Sequence, residues 1–219
     1  MFSVEKLSKN ITKTIENQLD LDNDRASIIE YGLYAFFQMS ISILITAIIG
    51  AIFNVMIEAL LISFVIAILR KSSGGVHAST SINCTIVGAL VAVTPAYLIK
   101  HISFNSNYII IIGILLYIIS FIIIYKLAPV DSPNKPIKKE DKIKRLKRGS
   151  IIILSIYMIV VLINLVLYYR TKSNVLLLYS SCIYIGIIWQ VFTLTKLGHV
   201  IVKIIDSLLI KIIRVRGNR

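Results

Sequence analysis

Long apolar runs separated by short polar segments dominate this sequence. A helix needs roughly 20 apolar residues to cross a hydrocarbon core of about 30 Å. The run from Tyr31 to Leu69 has 39 residues, with interruptions at Gly50, Asn54 and Glu58, so it predicts a helical hairpin that turns near Gly50–Asn54. Four further runs each predict one span: Cys84–Ile99, Tyr108–Ala128, Ser150–Tyr169 and Val175–Thr195. The pattern predicts an all-α integral membrane protein with about six transmembrane helices.

Both ends of the chain have the pattern of amphipathic helices that lie at the membrane surface. In residues 1–28, apolar positions recur every three or four residues and share one side of a helix: Val4, Leu7, Ile11 and Ile15. The basic segment 196–219 repeats this pattern with Ile201, Ile204, Ile205, Leu208, Leu209 and Ile212. Such helices rest in the headgroup region. They either anchor the protein only or also help to dock an amphipathic, membrane-bound substrate.

Composition excludes most other classes of protein. Hydrophobic residues make up 57% of the chain and its mean hydropathy is +0.82, against roughly 45–50% apolar residues in soluble domains. A water-soluble enzyme and a disordered chain are therefore excluded. We expect a single membrane-embedded domain over residues 1–219, with a transmembrane bundle at 31–195. Two cysteines are too few for a disulfide framework or a metal cluster.

The distribution of charge predicts the orientation in the membrane. The net charge is +13, and in a chain this apolar we attribute it to cytoplasmic loops facing anionic lipid and not to nucleic-acid binding. Residues 129–149 hold eight Lys and Arg residues, which places this loop in the cytoplasm. Counting spans outward from it places both termini and the loop 70–83 there too. We therefore expect a multi-pass membrane protein.

The segment 70–85 is a polar stretch inside the membrane-embedded region, and it holds the candidate chemistry. His77 and Cys84 are seven residues apart, which puts them on one face of a helix but about 10.5 Å apart along it. Direct contact requires the chain to fold back, which the Gly74–Gly75 pair permits. A helix N-terminus favours a thiolate, and a neighbouring His takes up the thiol proton in a cysteine peptidase. From spacing alone, an ordinary role as interfacial side chains explains both residues better than catalysis does.

Two motifs resemble those of a known family. The stretch RKSSGGVHASTSINC resembles the signature of the accessory gene regulator B (AgrB) family of bacterial membrane cysteine endopeptidases, with an Arg, a Gly-Gly-x-His and a Cys seven residues after the His. Residues 128–137 resemble the family's Ala-Pro-rich stretch. The resemblance covers essentially the whole chain and implies that His77 and Cys84 are catalytic. Arg70 and Gly75 also match: Gly75 would shape the loop, while Arg70 would bind a substrate carboxylate or act only as a topology anchor.

The resemblance also implies a reaction and partners. The substrate would be an AgrD-like propeptide of peptide quorum sensing, with an amphipathic leader, a central signal sequence and an acidic tail. Cys84 would remove the tail through a thioester, and an internal Cys or Ser would then close a thiolactone or lactone ring without any cofactor. The basic loop 129–149 either receives the acidic tail or only sets topology. The resemblance further implies a homodimer.

A second reading is a small membrane transporter or export permease for a peptide, without chemistry of its own. A transporter is expected to place polar groups at mid-membrane in several spans, and here only Glu58 is ionisable well inside a run. We expect Glu58 to mark the outer hairpin or to pair within the bundle. Asn164 and Gln190 are expected to make interhelical hydrogen bonds. For the orientation of His77 the candidates are Ser79, Thr80, Ser81 and Asn83, and none stands out.

Overall fold

The computed structural model describes residues 4–19, 21–102, 105–131 and 139–217. These residues form eight helices and no β-strand, which confirms the all-α prediction. The helices are α1 Val4–Leu19, α2 Asn23–Ile52, α3 Met56–Ser73, α4 Ser81–Lys100, α5 Ser106–Leu127, α6 Glu140–Thr171, α7 Asn174–Phe192 and α8 Lys196–Gly217.

Five helices in the described residues are long and apolar enough to cross a membrane: α2, α4, α5, α6 and α7. This differs from the six spans expected. The difference is α3, which has 18 residues and carries Glu58 in its first turn and Arg70 and Lys71 in its last. Between these charges α3 has only a short uncharged stretch, and it is therefore not among the five spans. It nevertheless forms the second helix of the predicted hairpin. The chain is a multi-pass helical membrane protein.

The turn between α2 and α3 lies where the sequence predicts it. Asn54 adopts a left-handed conformation with φ of 56°, and the Val55 N–H donates to the Gly50 carbonyl at 2.7 Å. A side chain at Gly50 would lie 2.9 Å from the Met56 Cα, so glycine permits the close approach of the two helices. Beyond the turn, buried Glu58 forms an ion pair with Lys100 at 3.2 Å, which confirms that it pairs within the bundle.

The chain divides into two compact units, residues 1–45 and 46–219. In the first unit, α1 covers only part of the predicted amphipathic segment 1–28, because a new helix begins at Asn23. The Asp22 carboxylate accepts the Arg25 N–H at 2.7 Å, which caps the start of that helix. The expectation of a single domain stays a prediction.

In the second unit, α3 packs against α4, α6 and α7, and α5 packs against α6 and α7. Small residues allow these close contacts: Ala59, Ala92 and Ala96 are fully buried in one cluster, and a side chain at Gly186 would lie 2.5 Å from Val65 Cγ1. The Asn164 amide donates to Ser180 Oγ at 3.3 Å, which is the interhelical hydrogen bond expected for Asn164. This packing holds the segment between α3 and α4 against α7.

Candidate active site

The candidate site lies in residues 74–80, between the end of α3 and the start of α4. Gly74 and Gly75 have φ of 69° and 125°, a conformation that other residues rarely adopt. The chain therefore leaves the helix after Ser73 and returns to helix at Ser81. Thr80 caps the new helix, since its Oγ1 accepts the Asn83 N–H at 3.2 Å. Cys84 lies in the first turn of α4, and its N–H donates to the Thr80 carbonyl at 3.0 Å.

His77 and Cys84 lie together. The Cys84 Sγ is 4.0 Å from the His77 Nδ1, the long end of thiol hydrogen bonding. A continuous helix would separate these residues by about 10.5 Å, so the non-helical segment 74–80 brings about the contact, as the sequence requires. Cys84 is half-buried, and His77 retains exposure to solvent.

The two family-like motifs pair with each other through their backbones. Val130 and Gly74 form an isolated parallel bridge. The Val130 N–H donates to the Ser73 carbonyl at 2.9 Å, and the Gly75 N–H donates to the Val130 carbonyl at 3.4 Å. The chain after Leu127 thus supports the glycine turn. The remainder of the second motif, residues 132–137, lies outside the described residues.

Helix α7 holds the same turn from another side. The fully buried Gln190 donates through Nε2 to Ser73 Oγ at 2.9 Å and to the Gly74 carbonyl at 2.7 Å. The Val76 N–H donates to the Thr193 carbonyl at 3.2 Å. A side chain at Gly75 would lie 2.6 Å from Thr193 Oγ1, so Gly75 allows the loop to lie directly on α7. Gln190 makes the interhelical hydrogen bond expected of it, but its position in the candidate site was not expected.

Arg70 lies beside the pair. Its guanidinium donates to the Val76 carbonyl, one residue before His77. Partial burial of the imidazole, together with the positive charge of Arg70, lowers the pKa of His77 to about 4. His77 is therefore neutral at neutral pH, the state in which it accepts a proton. The two roles expected for Arg70 stay predictions.

Asp206 of α8 binds the opposite side of the turn. Its Oδ1 accepts from the Asn83 amide at 2.7 Å, and its Oδ2 accepts the Ser79 N–H at 3.1 Å. Burial favours the protonated form, but the hydrogen bonds from Ser79 and Asn83 prevail and hold the pKa of Asp206 below its ordinary value. Asn83 and Thr80 are thus engaged in building the turn. Sequence reasoning missed Asp206, although it is the sole acidic residue of 196–219.

Other candidate groups lie elsewhere. Cys182 is fully buried in α7, in the cluster with Ala59 and Ala92. The His101 ring packs against Tyr97 with centroids 4.7 Å apart. Among the described residues, no group of three His, Cys, Asp or Glu side chains is arranged to hold a metal ion.

A family model described as Accessory gene regulator B matches residues 8–194 of this chain. The chain belongs to the AgrB family. It is 41% identical over 207 residues to an AgrB-like protein of Clostridium perfringens strain SM101, covering 93% of this chain and 97% of that protein. It is 24% identical over 154 residues to the Accessory gene regulator protein B of Staphylococcus aureus strain bovine RF122, covering 70% of this chain and 78% of that protein.

A second AgrB-like protein, from Clostridium perfringens strain 13, is 40% identical over 207 residues and is covered over 97% of its length. No solved structure matches this chain significantly. Membership of the AgrB family gives the protein a role in quorum sensing. His77, Cys84 and the glycine turn fall within the segment that the AgrB model matches, whereas α8 lies after its end.

Proposed function

We propose that this AgrB-family protein is a membrane cysteine endopeptidase, with Cys84 as nucleophile and His77 as general base. The observation that carries the proposal is the 4.0 Å separation between the Cys84 Sγ and the His77 Nδ1. A nucleophile and a base within or near hydrogen-bonding distance are the minimal unit of covalent peptidase chemistry, and such contacts are often loose in the absence of substrate.

The proposed reaction begins with a thiol and a neutral imidazole, since the pKa of His77 is lowered to about 4. His77 takes the thiol proton as Sγ attacks the scissile carbonyl, and the imidazolium then gives a proton to the departing amine. The carbonyl carbon is left bound to Cys84 as a thioester. An internal Cys or Ser of the substrate displaces Cys84, which leaves as a thiol, and a thiolactone or lactone ring is formed. Thioester exchange needs no oxidant and no external energy source.

The proposed substrate is an AgrD-like propeptide. AgrB-family membership supports this assignment, and so does the positive charge at the start of α6. The start of α6 presents a cationic surface to solvent, formed by Lys142, Lys144, Arg145 and Arg148. We assign the acidic tail of the propeptide to this surface. The reaction requires that water be kept from the thioester, because hydrolysis would otherwise compete with ring closure.

The proposal is tested by reconstitution into liposomes with the cognate propeptide, followed by mass spectrometry. Wild type should release the C-terminal tail and carry a thioester adduct on Cys84. Cys84→Ala and His77→Ala should release none, whereas Cys182→Ala, which removes the thiol buried away from the site, should cleave normally. Unchanged cleavage by Cys84→Ala would overturn the nucleophile assignment and favour a peptide transporter. Cross-linking in the same liposomes would test the homodimer that the family resemblance implies.

A further inference from the structure

Helix α8 carries a single acidic residue, and this residue lies on the face that the protein buries. Gly198, Val202 and Asp206 recur every four residues and are all buried. The exposed apolar positions of α8 lie on other sides of the helix and include Leu197, Val200, Ile201, Ile204 and Leu208. A carboxylate on the protein-facing side of an amphipathic helix is unfavourable unless its oxygens receive hydrogen bonds. The burial of Asp206 is therefore explained by the two hydrogen bonds that its oxygens accept.

The end of α7 directs α8 toward the candidate site. Thr195 Oγ1 accepts the Gly198 N–H at 3.1 Å and caps the first turn of α8. A side chain at Gly198 would lie 2.0 Å from the Phe192 carbonyl oxygen, so only glycine lets α8 leave α7 at this angle. Asp206 then lies two turns further along the same face.

The two oxygens of Asp206 bind the two sides of one turn. Oδ2 accepts the N–H of Ser79, two residues after His77, and Oδ1 accepts from the amide of Asn83, which directly precedes Cys84. The Asn83 side chain is 1% exposed, so without this partner its N–H₂ group would be buried and unpaired. The carboxylate thus connects the backbone near the imidazole to the residue next to the thiol.

We propose that Asp206 is a positioning residue: by binding Ser79 and Asn83 it fixes the turn between His77 and Cys84 and so sets the separation of imidazole and thiol. The inference rests on the proposed peptidase function and extends it to a helix outside the segment that the AgrB family model matches. Asp206 touches neither reacting atom and acts through the turn. A displacement of about 1 Å at reacting groups lowers a rate by about 100-fold.

A measurement without substrate isolates the geometry. In the Cys182→Ala background, the rate of alkylation of Cys84 by iodoacetamide is measured with and without His77→Ala, and with and without Asp206→Ala. We expect His77→Ala to change the rate at least about five-fold when Asp206 is present and less than about two-fold in Asp206→Ala, the signature of coupled residues. An effect of His77 that is the same in both backgrounds would overturn the inference.

Propeptide cleavage gives the second measurement. Asp206→Ala should lower kcat by about 10- to 100-fold with KM within about two-fold, whereas Ser207→Ala, exposed and next in sequence, should leave both unchanged. Asn83→Asp should inactivate the protein because it places two carboxylates together. Adding Asp206→Asn should raise the activity of Asn83→Asp at least about ten-fold. Failure of this exchange to restore activity would overturn the pairing. If His77→Ala changes neither alkylation nor cleavage, the proposed function itself fails, and the inference with it.

Discussion

Gly74 pairs with Val130 although 56 residues separate them in the sequence. The Val130 N–H and carbonyl bind the residues on either side of Gly74, at Ser73 and Gly75. This backbone tie fixes the chain where it leaves α3, and His77 follows three residues after Gly74. The segment after α5 therefore helps to hold the candidate site in place. It does so only because Gly74, which has no side chain, lets the two backbones come into contact.

Gly74→Ala should inactivate the protein without preventing its insertion. An added Cβ would lie 2.1 Å from the Val130 carbonyl oxygen, and φ of 69° is already unfavourable for alanine. We expect propeptide cleavage in liposomes to fall at least about ten-fold, because the turn must move away from Val130. The control is Gly88→Ala in α4, where a Cβ meets open space. Cleavage by Gly74→Ala at the rate of Gly88→Ala would contradict this account.

In the pH dependence of propeptide cleavage, the rate should begin to fall on the acid side at a much lower pH than an ordinary histidine would give. Burial and the charge of Arg70 lower the pKa of His77 to about 4, so the imidazole stays neutral and able to accept a proton down to that pH. A free imidazole, with a pKa of about 6.5, would lose this function at a pH about 2.5 units higher. We expect kcat/KM at pH 5.5 to remain within about two-fold of its value at pH 7. A half-maximal rate near pH 6.5 would show that His77 is not in the environment described.

Arg70→Gln should shift the acid limb of the pH–rate profile to higher pH. Removing the guanidinium charge raises the pKa of His77, but only part of the way to 6.5, because burial is the larger cause of the shift and remains. The limb is measured as above, with Lys71→Gln as the matched control, since Lys71 is the exposed neighbour of Arg70 in α3. A limb that does not move in Arg70→Gln, or that moves equally in Lys71→Gln, would contradict the electrostatic role of Arg70.

Gln190→Met should weaken both the fold and the site. Methionine has a similar length but leaves Ser73 Oγ and the Gly74 carbonyl without their donor, at a cost of about 1–3 kcal/mol. We expect a lower Tm in detergent and a cleavage rate per folded molecule reduced at least about five-fold. The matched control is Asn164→Leu, which removes the hydrogen bond to Ser180 and should lower Tm while leaving that rate unchanged. Equal effects of the two variants on the rate would contradict a specific role for Gln190.

Much of the fold follows from local sequence. The spacing of apolar runs predicts the helices, and the interruption at Gly50–Asn54 predicts the hairpin. Gly74–Gly75 permits the fold-back that contact between His77 and Cys84 requires. Each of these rests on a few neighbouring residues, whose conformational preferences act over one turn of chain. The continuous apolar run through α2 and α3, by contrast, predicts two full spans, whereas the uncharged stretch of α3 is too short for one.

The supports of the site did not follow from the sequence. Gln190 lies 116 residues from Gly74, and Asp206 lies 123 residues from Asn83. Such contacts depend on which helix faces pack together, and no local pattern specifies that. A polar side chain inside the apolar α7 and a lone carboxylate in the basic α8 were the available signals, and each identifies a residue without identifying its partner.

Lys100→Met should destabilise the protein at the end of α3 that is remote from the site. Glu58 is 7% exposed, and Lys100 Nζ lies 3.2 Å from its carboxylate, so the variant leaves a buried charge unpaired. We expect a loss of about 1–3 kcal/mol, seen as a lower Tm in detergent. Glu58 lies about 18 Å from Arg70 along the helix axis, so cleavage per folded molecule should stay unchanged. Adding Glu58→Gln should recover part of the Tm because no buried charge is then left, whereas a further fall would show that the carboxylate has a second partner.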